Sequence, residues 1–240
     1  AGQASLFGGA DDADQHAPAL LTPPPWDDAR KLAEEKLALG FYFSGHPFAA
    51  YRKEVSAFIR GSLAELAPRQ EASLIAGFIV ATRMQQTRNG RMAVIVLDDG
   101  TAVIEVTAFA ELFEANRELL REDRPVVIQG KISRDEYSGG GLRVRAEKIL
   151  DLCTARGRFA RQMCIAMNGE ASRAPGQAAA RLKTLLAPYR NGPCPVAIQY
   201  VNDSASVELK LGEDWRVTLD DRLLTQLNDW LRPENVRIQY

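Results

Sequence analysis

The sequence is poor in the residues that build disulfides and metal sites: 3 cysteines and 2 histidines in 240 residues. Cys153, Cys164 and Cys194 are odd in number and none sits in a Cys-x-x-Cys spacing, so they read as reduced thiols of a cytoplasmic protein. A zinc centre needs clustered Cys and His, and His16 and His46 stand far apart. No metal, cofactor or catalytic constellation is expected. No apolar run approaches the roughly 18 residues of a membrane span, and no signal-peptide pattern opens the chain. It opens on Ala1 rather than Met, as a piece of a longer protein would. An excess of charge of either sign is also lacking: 30 Lys and Arg face 31 Asp and Glu. That argues against a general basic coat for nucleic acid but leaves room for a local patch. Apolar residues make up 46%, enough for a sizeable core and one to three domains.

What is present is clearest from Ser73 to Leu152. Runs of Val, Ile and Leu alternate with polar residues, and Asn89-Gly90 and Asp99-Gly100 supply tight-turn signals between them. Three strands are expected, then a helix over ELFEANRELL, then two more strands, PVVIQGKIS and GLRVRAEKILDL. That order predicts a five-stranded OB-fold β-barrel over residues 72–152, a fold that commonly binds single strands on its strand 2–3 face. Arg83, Gln85, Arg88 and Arg91 occupy or flank the first hairpin, with no acid from Thr82 to Leu97. Arg134 and Tyr137 lie near the last hairpin, and Arg143, Arg145 and Lys148 on or near the last strand. Arg83, Gln85, Arg88, Arg91, Arg134, Tyr137, Arg143 and Arg145 are the candidate DNA contacts. The alternative is a protein-binding barrel whose arginines only solvate a face. Ser138-Gly139-Gly140-Gly141 lacks the Gly-Lys-Ser/Thr ending of a phosphate loop and reads as a hairpin tip.

Ahead of the barrel, residues 1–25 are rich in Gly, Ala, Asp and Pro and predict a flexible segment without a core. Within it, Gln3-Ala4-Ser5-Leu6-Phe7 is either a chance apolar pair or a peptide whose Leu6 and Phe7 fill a partner's pocket, each contributing roughly 1.5–3 kcal/mol. Residues 26–71 predict a helical segment. Pro25 is placed for a first turn, Trp26, Ala29, Ala33 and Leu37 form a stripe, and Gly40 ends the run. A second helix over FAAYRKEVSAFI carries Phe48, Tyr51, Val55 and Phe58 on one face. His46, beside Gly45 and Pro47, reads as a packed turn residue without a carboxylate partner.

Residues 153–240 predict a small α+β domain. RFARQMCIAM, CPVAIQYV, ASVELKLG, DWRVTL and NVRIQY read as strands, with helices over GQAAARLKTLLAPYR and DDRLLTQLNDWL, the latter capped by Asp220 or Asp221. Arg156, Arg158, Arg161, Arg173, Arg181, Lys183 and Arg190 crowd its first half and suit DNA or an acidic partner.

The stretch from Leu37 to Pro47, LALGFYFSGHP, resembles a segment of the bacterial replicative DNA polymerase III alpha subunit. MAVIVLDDGTAVIEVTAF and GQASLFG are similar to the same family in the same order, and the last domain is similar to its C-terminal region. The resemblance implies that Gln3, Ser5, Leu6 and Phe7 belong to a sliding-clamp (beta subunit) binding peptide. It implies that the barrel contacts single-stranded or primer–template DNA, and that 153–240 binds the clamp-loader tau subunit. The family's catalytic carboxylates lie upstream of anything matched here, so this stretch is expected to be non-catalytic. The alternative is an independent OB-fold nucleic-acid-binding module or a nuclease, for which Asp98-Asp99 is the best carboxylate pair.

Overall fold

Alternating apolar residues close into a barrel when every strand has an inner and an outer side to satisfy. The computed structural model describes residues 25–87, 90–134, 141–167, 175–201 and 206–240. The chain divides into two units, 1–45 and 46–240.

In the first unit, α1 spans Asp28–Leu39. It starts two residues later than the stripe suggested, because the Asp27 side chain accepts the Arg30 N–H at 2.7 Å and so caps it. Gly40 ends it in the left-handed region at φ 79°, as expected. The following turn folds onto Glu35, which accepts the backbone N–H groups of Phe43 and Ser44 at 2.8 Å each.

The second unit begins with α2, Ala49–Val55, shorter than the expected helix. It ends at Val55, and Phe58 and Ile59 follow in turns bonded to the Val55 carbonyl. The barrel comprises β1 (Arg69–Thr87), β2 (Gly90–Asp98), β3 (Val103–Phe109), β4 (Pro125–Arg134) and β5 (Leu142–Leu150), with the short helix α3 (Ala110–Ala115) between β3 and β4. It closes in the order β1-β2-β3-β5-β4, with β3 and β5 parallel. β1 serves two partners: Arg69–Phe78 pairs with β4 and Phe78–Thr87 with β2, with a register shift between Ile79 and Ala81 at the changeover. Ile79, Ile95, Leu97, Val106 and Ile128 are wholly buried inside, each contributing roughly 1.5–3 kcal/mol. At Gly130 a Cβ would stand 2.5 Å from the Arg145 carbonyl oxygen, so only glycine lets β4 and β5 approach there.

Outside the barrel, Phe48 and Val55 cluster with Ala76, Phe78 and Val127. Helix α4 (Leu152–Phe159) adds Leu152 and Ala155 to the same cluster. This helix corrects the expected RFARQMCIAM strand, which is confined to β6, Gln162–Ala166. Asp151 caps α4 through the Thr154 N–H at 2.6 Å. The remainder holds α5 (Pro175–Leu186), β7 (Arg190–Cys194), β8 (Val196–Val201), β9 (Ser206–Lys210), α6 (Asp221–Leu231) and β10 (Val236–Gln239). Its sheet runs β10-β6-β8-β9, and Leu182, Leu186, Leu223, Leu227 and Leu231 of the two helices share its core. Asp220 caps α6. DWRVTL is not a strand: Glu213–Trp215 is a single 3-10 turn, and Val217 makes only isolated bridges to Arg190 and Cys194. The architecture is thus a helical segment, a five-stranded OB-fold barrel and a small α+β region. No helix among the described residues is long and apolar enough to cross a membrane.

Candidate nucleic-acid interface

Strand alternation decides which of the candidate residues share a surface. Ala93, Ile95, Leu97, Ile104, Val106 and Ala108 point into the core, so the residues between them point out. Arg83 stands opposite Val94, Val94 opposite Thr107, Thr107 opposite Arg145, and Arg145 opposite Lys131. In the adjacent row Glu105 is opposite Arg143, and Arg143 opposite Ser133. In the row on the other side Gln85, Met92 and Phe109 face one another. Four of the expected DNA contacts, Arg83, Gln85, Arg143 and Arg145, therefore meet on one outer face across β1, β2, β3 and β5.

Two candidates, Arg91 and Arg134, do not join them. Arg91 pairs with Gln86, in the phase opposite to Gln85 and Arg83, so it lies on the other side of the β1–β2 ribbon. Arg134 pairs with Leu142 at the end of β4, in the phase of core residue Ile132. Arg88, Tyr137 and the peptide residues Gln3, Ser5, Leu6 and Phe7 lie outside the described residues.

The face is less purely cationic than its sequence. Arg83 is ion-paired to Glu105, with side chains 64% and 47% exposed, and Lys131 lies 3.7 Å from Glu147. Exposed pairs of this kind are worth about 1 kcal/mol or less, so an incoming phosphate competes with them easily. Arg145 is exposed and has no ion-pair partner among the described residues. The sequence reading missed Phe109, a residue of this face that is 48% exposed. Its signal was present: Phe109 lies two positions beyond Thr107, out of phase with Ile104, Val106 and Ala108. An exposed ring beside arginines offers a base a stacking platform.

The alternative carboxylate pair is structural. Asp99 is buried, and its oxygens accept the N–H groups of Leu63 at 2.9 Å, Thr101 at 2.8 Å and Ala102 at 3.2 Å, and the Thr101 hydroxyl at 2.6 Å. Burial opposes its charge, but these hydrogen bonds outweigh burial and hold the carboxyl below the usual carboxylate range. Asp98 accepts the Gly100 N–H at 2.7 Å. Its Oδ1 also lies 3.4 Å from His46 Nε2, so His46 does have a carboxylate neighbour, contrary to the sequence reading. His46 Nδ1 accepts the Phe48 N–H at 3.2 Å. Both ring nitrogens thus serve the turn, and Gly100, at φ 78°, packs so close that a Cβ would sit 3.0 Å from His46 Cγ.

The arginines that crowd the C-terminal sequence disperse. Arg156 is 3% exposed and bound to Glu54 and Asp221. Arg181 lies over Trp230 and Arg190 over Trp215, at 5.0 and 4.3 Å from the ring centroids. Arg173 is outside the described residues. All 3 cysteines are free, and burial pushes the Cys194 thiol up to about 11.

Comparison with known proteins adds two family matches. Residues 74–152 match the family described as "OB-fold nucleic acid binding domain", and residues 181–231 match "DNA polymerase III subunit alpha, C-terminal domain". The DNA polymerase III subunit alpha of Neisseria meningitidis is 34% identical over 244 residues, covering 100% of this chain and 21% of its own length. That of Escherichia coli K12 is 32% identical with the same coverage. Among solved structures, the second OB-fold domain of replication protein A from Methanococcus maripaludis aligns at TM-score 0.31 and 20% identity, covering 38% of this chain and 93% of that one. The chain spans about a fifth of the length of the curated relatives it matches.

Proposed function

The chain belongs to the DNA polymerase III alpha subunit family, matching its C-terminal part, and we propose that it serves as the non-catalytic tethering end of such a replicative polymerase. In this reading the outer barrel face holds single-stranded template DNA. Arg145, Arg143 and Arg83 take phosphates, Gln85 adds neutral hydrogen bonds, and Phe109 stacks a base. The peptide Gln3-Ala4-Ser5-Leu6-Phe7 inserts Leu6 and Phe7 into a pocket of the sliding clamp, and residues 153–240 bind the clamp-loader tau subunit. Several weak contacts on one chain reinforce each other by raising the effective concentration of each partner near the others. DNA synthesis itself belongs to the parts of the relatives that this chain does not span.

The observation that carries the DNA reading is the convergence of Arg83, Gln85, Arg143 and Arg145 with an exposed Phe109 on one face. The test is titration of a fluorescent single-stranded oligonucleotide with the intact chain at several salt concentrations. Arg143→Ala with Arg145→Ala is expected to weaken binding and flatten the slope of log affinity against log salt, by roughly 0.7 for each phosphate no longer neutralised. Unchanged affinity and slope would rule this face out as the DNA-binding surface.

A further inference from the structure

The barrel and the C-terminal sheet are joined without a slack linker. β5 ends at Leu150 and α4 begins at Leu152, so the chain passes from barrel to helix across Asp151 alone. α4 is seated against the barrel through Leu152 and Ala155. On its other side, Gly157 approaches Pro193 so closely that a Cβ would stand 2.7 Å from Pro193 Cγ.

Arg156, on this same helix, gathers partners from both sides. Its Nη2 donates to Glu54 Oε2 of α2 at 3.0 Å while Nε donates to Glu54 Oε1. Its Nη1 donates to the Leu219 carbonyl at 3.2 Å and to Asp221 at the start of α6. The Tyr240 hydroxyl donates to Glu54 Oε1 at 2.7 Å. Beside this network Phe58 contacts Phe159 and Tyr240, with ring centroids 5.2 and 5.0 Å apart. Burying a guanidinium is costly, and against apolar packing such a pair adds little net stability. What its planar fork adds is direction, since each donor accepts a partner only along a fixed line. Bound to α4 along such lines, α2 and the start of α6 are fixed in orientation, which apolar packing of Phe48, Val55 and Ala155 does not by itself achieve.

We propose that Arg156, with Glu54, Asp221 and Tyr240, is a clasp that locks the C-terminal sheet to the barrel as one rigid body. A ligand on the barrel's outer face and a partner on the C-terminal region are then held in one mutual orientation. The clasp does not depend on the barrel's ligand being DNA, so it stands or falls separately from the functional reading. The experiment is pulsed dipolar spectroscopy on the whole chain. Spin labels are carried by noncanonical residues at exposed Glu114 and Gln226, which leaves the native thiols in place. The unsubstituted chain is expected to give one narrow distance population. Arg156→Met and Glu54→Ala, with far-UV circular dichroism unchanged, are expected to add a second or broadened population. A broad distribution in the unsubstituted chain overturns the clasp, as does a narrow one retained in both variants. If Arg156→Met fails to fold, Glu54→Ala alone decides on the same criterion.

Discussion

Arg156 and Glu54, 102 positions apart in the chain, face each other in a bidentate ion pair in which the arginine is 3% exposed and the glutamate side chain 22%. Removing one partner of a buried pair strands the other. Glu54→Ala is therefore expected to lower unfolding stability by about 3 kcal/mol, the low end of the range for broken buried pairs because Glu54 keeps some solvent. Replacing both, Arg156→Met with Glu54→Met, removes the charges together and is expected to cost less than Glu54→Ala alone. Urea denaturation of the three proteins measures this. A double variant less stable than the single one would mean that the pair is net stabilising in itself.

Asp99 sets a pH dependence whose sign follows from its hydrogen bonds. Burial works against its carboxylate, yet the bonds from Thr101, Leu63 and Ala102 hold its folded pKa below the unfolded value, which is about 3.9. Its contribution is then fully present above pH 4 and is lost as pH falls through the lower, folded value. Asp99→Asn is expected to destabilise the barrel by about 2 kcal/mol near neutrality, as charge-assisted bonds give way to neutral ones. Denaturation midpoints of the two proteins are expected to converge below pH 4. A gap that stays constant down to pH 3 would show that the charge of Asp99 is irrelevant.

Much of this was legible in the sequence, and the failures share a cause. The barrel strands were readable because Ala93, Ile95 and Leu97, or Ile104, Val106 and Ala108, repeat with the two-residue period of a half-buried strand. Alternation alone also made DWRVTL look like a strand, although Val217 finds only isolated bridges. Helix α4 was hidden because LCTARGRF has no long apolar stripe; its one local sign was Asp151 placed to cap it. The arginines were misjudged for want of long-range partners. Near Arg83 the sequence shows no acid, but barrel pairing brings Glu105 from β3. Arg156 looked like a surface cation until folding brought Glu54 and Asp221 to it.

On the barrel face, stacking and charge are separable. Phe109→Leu is expected to weaken single-strand binding about tenfold, within the 1–3 kcal/mol that a stacked base contributes, and to leave the salt slope unchanged. Glu105→Gln releases Arg83 from its ion pair and is expected to strengthen binding and steepen the slope. Salt-dependent oligonucleotide titrations of both variants read the two effects. A Phe109→Leu protein that binds as the original does would exclude the ring from the interface.

As proposed, the chain tethers a polymerase to its clamp as well as to its template. The most direct measurement is the affinity of the chain for the family's sliding clamp, with and without residues 1–9. The intact chain is expected to bind and the shortened chain not to, while both still bind single-stranded DNA. Leu6→Ala with Phe7→Ala is expected to reproduce the loss. Clamp binding that survives removal of residues 1–9, or an intact chain that never binds the clamp, would contradict the tether.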